Sequence, residues 1–214
     1  MADFWRVPVL WPGETVAILG GGPSLKTLDL SLLRGKRVIA VNCAYKLGRF
    51  DAVFFGDGAF VQRHAPDLPW YDALRVTRCR EYLDQDWVRV VPQAERPSEL
   101  NDWPMQIEGI SIDPSVICWN SSSGGCAVNL ATLLGAKRIV LLGYDMRTIE
   151  TKHNWHDFYP DNDVTAHVDD YERFRRPFIA IKRDLDALGI ECVNATPGSA
   201  LTVFPIMTPE EALC

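Results

Sequence analysis

Apolar residues cluster in short runs along the chain: TVAILG (15–20), RVIAVN (37–42), DAVFFGD (51–57), LRVTR (74–78), VRVVP (88–92), SVICWN (115–120), RIVLLGYD (138–145) and IECVNA (190–195). Several are continuous rather than alternating and rich in Val and Ile, as strands buried on both faces of a parallel sheet are. Helical or turn-forming segments separate them. The order predicts an α/β fold: Rossmann-like, with a mostly parallel sheet, helices on both faces and an irregular lid region.

The plainest unit is CWNSSSGGCAVNLATLLGAKRIVLLGYD (118–145). Ala127, Leu130, Leu133 and Leu134 mark one face of a helix opening at Ser123; Gly135 stops it, and 138–142 forms the next buried strand. With the run before it, this predicts a strand–helix–strand crossover. Residues 57–113 carry Pro66, Pro69, Pro92, Pro97 and Pro104, and predict irregular structure with short strands, antiparallel ones included, laid over the sheet. A second irregular stretch, about 147–168, holds three of the four histidines directly after a strand. Long loops in compact domains are usually functional or mobile. A length of 214 residues fits one domain spanning 1–214, with these two stretches as insertions.

Composition narrows the partners. Hydrophobic residues at 47% and charged residues at 23% support a packed core. The net charge of −6 argues against a protein that grips nucleic acid by general electrostatics, although a modified DNA base remains open as an acceptor. The densest basic run, Arg173, Arg175 and Arg176, is interleaved with Asp169, Asp170 and Glu172; it reads as a solvated helix face, with a phosphate or acceptor contact as the alternative. Six cysteines without metal-finger spacing read as reduced, buried thiols of a cytoplasmic protein. No signal peptide or membrane span is legible, and an oligomer is possible.

In an open α/β sheet, ligands bind at the carboxyl ends of the strands. The polar and glycine residues there are Gly20, Gly21, Gly22 and Ser24 after the first run, Asn42 after the second and Asp57 after the third. Ser121 to Gly125 precede the long helix, Asp145 follows RIVLLGY, and Asn194 and Ser199 follow the last run. GGGPSL matches neither the dinucleotide fingerprint nor a P-loop. Its glycines either let backbone N–H groups approach an oxygen-rich ligand or merely allow tight packing. Ser122, Ser123 and Gly124 open a helix, where unpaired N–H groups and the dipole favour an anion; simple capping by serine is the alternative.

GGGPSL, VNCAY, SSSGGCAVNLATLLGAKRIVLLGYDM and CVNATPGSAL, in that order, resemble the Rossmann-like superfamily that joins the family 42 sialyltransferases to the DUF115 proteins, and look most like its small phage-encoded members. The resemblance implies that Gly21, Gly22, Ser24, Asn42, Ser123 and Gly124 surround a nucleotide. It also implies a transferase with no tightly bound cofactor, using a nucleotide-sugar donor of CMP or UDP type. One position departs from the pattern: the sialyltransferases carry Asn where Gly21 stands.

The loop RTIETKHNWHDFYP (147–160) resembles the His-rich loop of the phage members. A neutral histidine suits deprotonation of a hydroxyl acceptor, and a tyrosine can donate to a leaving phosphate. His153, His156 and Tyr159 are the candidates, with His156 preferred because it adjoins Asp157 and lies nearer Tyr159; packing that merely pins the loop is the alternative. His64 and His167 read as surface residues. A metal held by His153, His156 and Asp157 near Asp145 is the rival chemistry. The functional expectation is a metal-independent glycosyltransferase. Its alternatives are Mg²⁺-dependent diphosphoryl transfer of the hydroxymethylpterin diphosphokinase type, with the ion on Asp57 or Asp145, and a non-catalytic nucleotide-binding phage protein.

Overall fold

The computed structural model describes residues 3–96, 105–159 and 168–214. Seven parallel strands form one sheet: β1 (Thr15–Leu19), β2 (Arg37–Val41), β3 (Ala52–Phe55), β4 (Leu74–Thr77), β5 (Arg89–Val90), β8 (Arg138–Leu142) and β9 (Glu191–Asn194), in the order β5-β4-β3-β2-β1-β8-β9. The short antiparallel pair β6 (Glu95–Arg96) and β7 (Met105–Gln106) lies outside it. This is the Rossmann-like α/β sheet that the apolar runs predict.

Alternate strand residues feed opposite faces, as the pleat requires. Val16, Ile18, Ile39, Val41, Ile139 and Leu141 pack on one side with α2 (Ser123–Leu133) and α4 (Pro177–Ala187). Ala17, Leu19, Val38, Ala40, Val140 and Leu142 pack on the other, under short 3-10 turns, α1 (Phe60–His64) and α5 (Pro209–Leu213). A further helix, α3 (Val168–Arg175), leads into α4. No described helix is long and apolar enough to cross a membrane.

Two expectations are corrected. The runs at 74–78 and 88–92 do not lie over the sheet; β4 and β5 extend it, pairing parallel with β3 and with each other. The run at 115–120 is not a strand. It makes one isolated bridge, Gln93 to Ile117, because side-chain amides take over its pairing. Asn129 Oδ1 accepts the Cys118 and Ser111 amides at 2.9 and 3.0 Å. Asn120 Nδ2 donates to the Gly109 carbonyl at 2.9 Å, and Asn120 Oδ1 accepts the Gly109 amide at 2.7 Å. Asn120 and Ser121 then adopt φ of 54° and 53°, swinging the chain into α2. The helix itself runs as predicted, with Gly135 at φ 102° just past its end.

The chain steps outward from β1 to β5, then returns to place β8 on the other side of β1. The carboxyl ends of β1 and β8 therefore form the topological switch point, where an open α/β sheet leaves a crevice.

Candidate functional site

A cleft of about 510 Å³ opens at this switch point. Gly20, Gly21, Gly22, Asn42, Asp57, Ser122, Ser123, Gly124, Asp145 and His153 all line it, so most of the residues singled out at strand ends converge. Ser24, Asn194, Ser199, His156 and Tyr159 do not.

The three glycines play different parts. The Gly20 amide donates to the Leu142 carbonyl and the Gly22 amide to the Gly143 carbonyl, both at 2.8 Å. These two amides are committed to β8, not offered to a ligand. A Cβ on Gly22 would collide with the Asp145 carboxylate and stand 2.7 Å from the Gly143 carbonyl. Glycine here answers a close approach of two chain segments. Gly21 is roomier: a Cβ there would meet only the Asn154 side-chain oxygen, at 3.3 Å, while the Gly21 carbonyl accepts the Trp155 amide at 3.1 Å.

Ser24 and Asp145 form the lock beneath that turn. The Ser24 hydroxyl donates to Asp145 Oδ2 at 2.8 Å, and its amide approaches the same oxygen at 3.4 Å. Asp145 is 2% exposed; burial raises its pKa and the Ser24 bonds pull it back. Behind it, Ser199 donates to the Tyr144 carbonyl at 2.5 Å, and Asn194 Nδ2 to the Leu201 carbonyl at 2.9 Å. Ser24, Asn194 and Ser199 thus brace the ends of β1, β8 and β9 from below. Asn42 stands at φ 50° on the cleft wall, and Asp57, exposed, accepts the Ala59 amide at 2.9 Å.

Ser122 caps α2, accepting the Gly125 amide at 3.1 Å. A cap satisfies one amide, and the first helical residues, Ser123 and Gly124, keep N–H groups without an intrahelical acceptor beside the cleft. Tyr144 lies close: its hydroxyl donates to the Gly124 carbonyl at 3.1 Å, and a Cβ on Gly124 would stand 3.0 Å from its ring. Gly124 is therefore held by packing against Tyr144.

The two loop histidines separate. His153 lines the cleft, with Nδ1 3.1 Å from the Tyr171 hydroxyl on α3 and 3.4 Å from the Thr148 hydroxyl. His156 turns the other way into an aromatic cluster. It stacks on Phe158 with centroids 4.6 Å apart and meets the edge of Tyr159 at 4.7 Å. Its Nδ1 accepts the Phe158 amide at 3.1 Å, and burial pushes its pKa down to about 4. Asp157, its expected orienting partner, pairs with Lys152 at 2.6 Å instead. Tyr159 sits beside the Cys43 thiol, and burial holds its hydroxyl well above the usual range. His64 is not a free surface residue: its ring packs on Tyr159 at 4.5 Å. His167 lies outside the described residues.

The histidines and Asp157 consequently do not converge, and among the described residues no group of three or more His, Cys, Asp or Glu side chains is placed to hold a metal ion. All six cysteines are free; five are buried as expected, whereas Cys214 is exposed. Arg78, Trp119, Tyr171 and Arg173 also line the cleft and were not picked out as site residues by strand-end reasoning, apart from Arg173 as a minor alternative. Arg78 carried a signal: it is the last residue of the run 74–78, directly after β4. Of the other basic-run residues, Arg175 donates to the Met146 carbonyl at 3.2 Å and Arg176 pairs with Glu108 at 2.7 Å.

No protein-family model matches the sequence, and no curated protein matches it. Solved structures do. The sialyltransferase CstII from Campylobacter jejuni in complex with cytidine-5'-monophosphate superposes with a TM-score of 0.57 at 18% identity, over 93% of this chain and 86% of that one. The sialyltransferase CST-II in complex with trisaccharide acceptor and CMP gives 0.58 at 19% identity, over 93% and 88%. The MAf glycosyltransferase from Magnetospirillum magneticum AMB-1 gives 0.58 at 12% identity, over 97% of this chain but 35% of that one. At these identities the likeness is one of fold: the chain has a sialyltransferase-like, Rossmann-like α/β fold.

Proposed function

We propose that the protein is a glycosyltransferase that moves a sugar from a nucleotide-activated donor, of CMP or UDP type, to a hydroxyl acceptor. The observation that carries the reading is the convergence on one switch-point cleft of an anion-favouring helix end at Ser123 and Gly124, the glycine turn at 20–22, Asn42, and a histidine held by a tyrosine. The fold neighbours captured with CMP, one of them together with a trisaccharide acceptor, support it.

In this reading His153, rather than His156, is the base. With Nδ1–H donating to the Tyr171 hydroxyl, Nε2 is left as the acceptor of a proton. Nε2 takes the proton of the acceptor hydroxyl as its oxygen bonds to the anomeric carbon. The bond from that carbon to the phosphate oxygen breaks, and the nucleotide leaves with the electron pair. The growing negative charge on the leaving phosphate meets the first turn of α2. Asp145 and Ser24 act here as positioning residues, holding the turn that shapes the cleft.

Titrating CMP, UDP and ATP with and without Mg²⁺ tests the reading. Binding of CMP or UDP without metal supports it. Binding of ATP alone, and only with Mg²⁺, would replace it with phosphoryl transfer, and no binding would leave a nucleotide-free protein. Incubation with a panel of activated sugars, read by mass spectrometry, then identifies the donor.

A further inference from the structure

Arg78 has no part in the mechanism above, yet it is a closely constrained cation that lines the cleft. It is the first residue after β4, and its guanidinium lies over the Trp119 ring at 3.7 Å from the centroid. Contact this close fixes the plane of the guanidinium fork and adds cation–π attraction. Its hydrogen bonding is poorly used. One terminal nitrogen donates to the neutral Gln93 amide at 3.3 Å, and the buried Nε has no hydrogen-bond partner among the described residues. The guanidinium is thus a fixed cation that lines the cleft.

Its place relative to α2 tells what it is for. A Cβ built on Gly56 would stand 2.8 Å from the Trp119 ring and 3.0 Å from the Ser123 hydroxyl, so the ring that carries Arg78 and the first residue of α2 flank the same glycine. An anion seated on the first turn of α2 therefore lies beside the ring that carries a rigid cation. Extending our reading of the site as a nucleotide-sugar cleft, we propose that the donor is a nucleoside diphosphate sugar. One phosphate sits on the N–H groups of Ser123 and Gly124, and the other on the Arg78 guanidinium. A monophosphate needs only the helix end; the extra charge of a diphosphate is what Arg78 is placed to meet.

Calorimetric titration of the full chain, without added metal, with CMP, CDP, UMP and UDP tests this. Each diphosphate should bind about tenfold or more tightly than its monophosphate, the gain of a charge-assisted contact. Arg78→Gln should erase that difference while leaving monophosphate affinity unchanged, and Arg78→Lys should keep part of it. Thermal melting checks that the variants fold; if Arg78→Gln does not, the wild-type and Arg78→Lys titrations carry the test. Equal affinity for mono- and diphosphates in the wild type, or a variant that weakens both in proportion, overturns the proposal while the nucleotide reading stands. Failure of every nucleotide to bind overturns both.

Discussion

The His153 ring lies nearly parallel to that of Tyr171, 15° apart in plane with centroids at 6.0 Å, and its Nδ1 is 3.1 Å from the tyrosine hydroxyl. The contact ties the loop after β8 to α3 across the cleft mouth. If this pair supplies the base, His153→Ala lowers turnover by about 10² to 10⁴-fold with nucleotide affinity little changed. Tyr171→Phe should produce a smaller loss, since it removes the orienting hydroxyl but not the imidazole. Single-turnover rates and nucleotide titrations on the two variants separate these effects. Near-full turnover in His153→Ala removes the assignment.

His156 should act on stability instead. Its folded pKa of about 4 lies below the ordinary 6.5, so the unfolded chain binds a proton more readily there. Stability from this residue is fully present above about pH 6.5 and is lost as pH falls toward 4. Between pH 6.5 and 5 the loss should be on the order of 1 kcal/mol, because solvent reaches part of the ring and screens its charge. Urea unfolding across this range should show a steeper decline for the wild type than for His156→Gln. Equal slopes would mean that the imidazole is not buried neutral.

Adjacent glycines should respond oppositely to alanine. Gly22→Ala drives a methyl into the Asp145 carboxylate and should destabilise by about 1 to 3 kcal/mol, as overpacking does. Gly21→Ala meets only the movable Asn154 side chain and should stay within about 1 kcal/mol of the wild type. Melting temperatures of the two variants decide it; a tolerant Gly22 would show that Asp145 is not locked against the turn.

Much of the sheet was legible because continuous Val- and Ile-rich runs have few other uses. The helix at Ser123–Leu133 was legible from its serine start, its apolar spacing and the glycine after it. The run at 115–120 misled because burial without pairing looks the same in sequence; two asparagines, one on α2 itself, do the work of a neighbouring strand. Strand-end reasoning found Gly20, Asn42 and Asp145 in the cleft lining, since the backbone alone brings those positions together. It did not tell which loop histidine faces inward. His156 adjoins Asp157 in sequence, but the carboxylate turns to Lys152 and the imidazole turns under Phe158. Nor did it bring out Tyr171, whose position depends on how α3 docks.

The central claim is that a nucleotide occupies the crevice between β1, β8 and the start of α2. Hydrogen–deuterium exchange of the full chain, with and without saturating CMP or UDP and read by mass spectrometry, tests it most directly. The account predicts slowed exchange in the peptides covering Gly20–Ser24, Ser121–Cys126 and the loop around His153, with the remainder of the sheet unchanged. Protection confined to other parts of the surface, or none at all under saturating nucleotide, would contradict it.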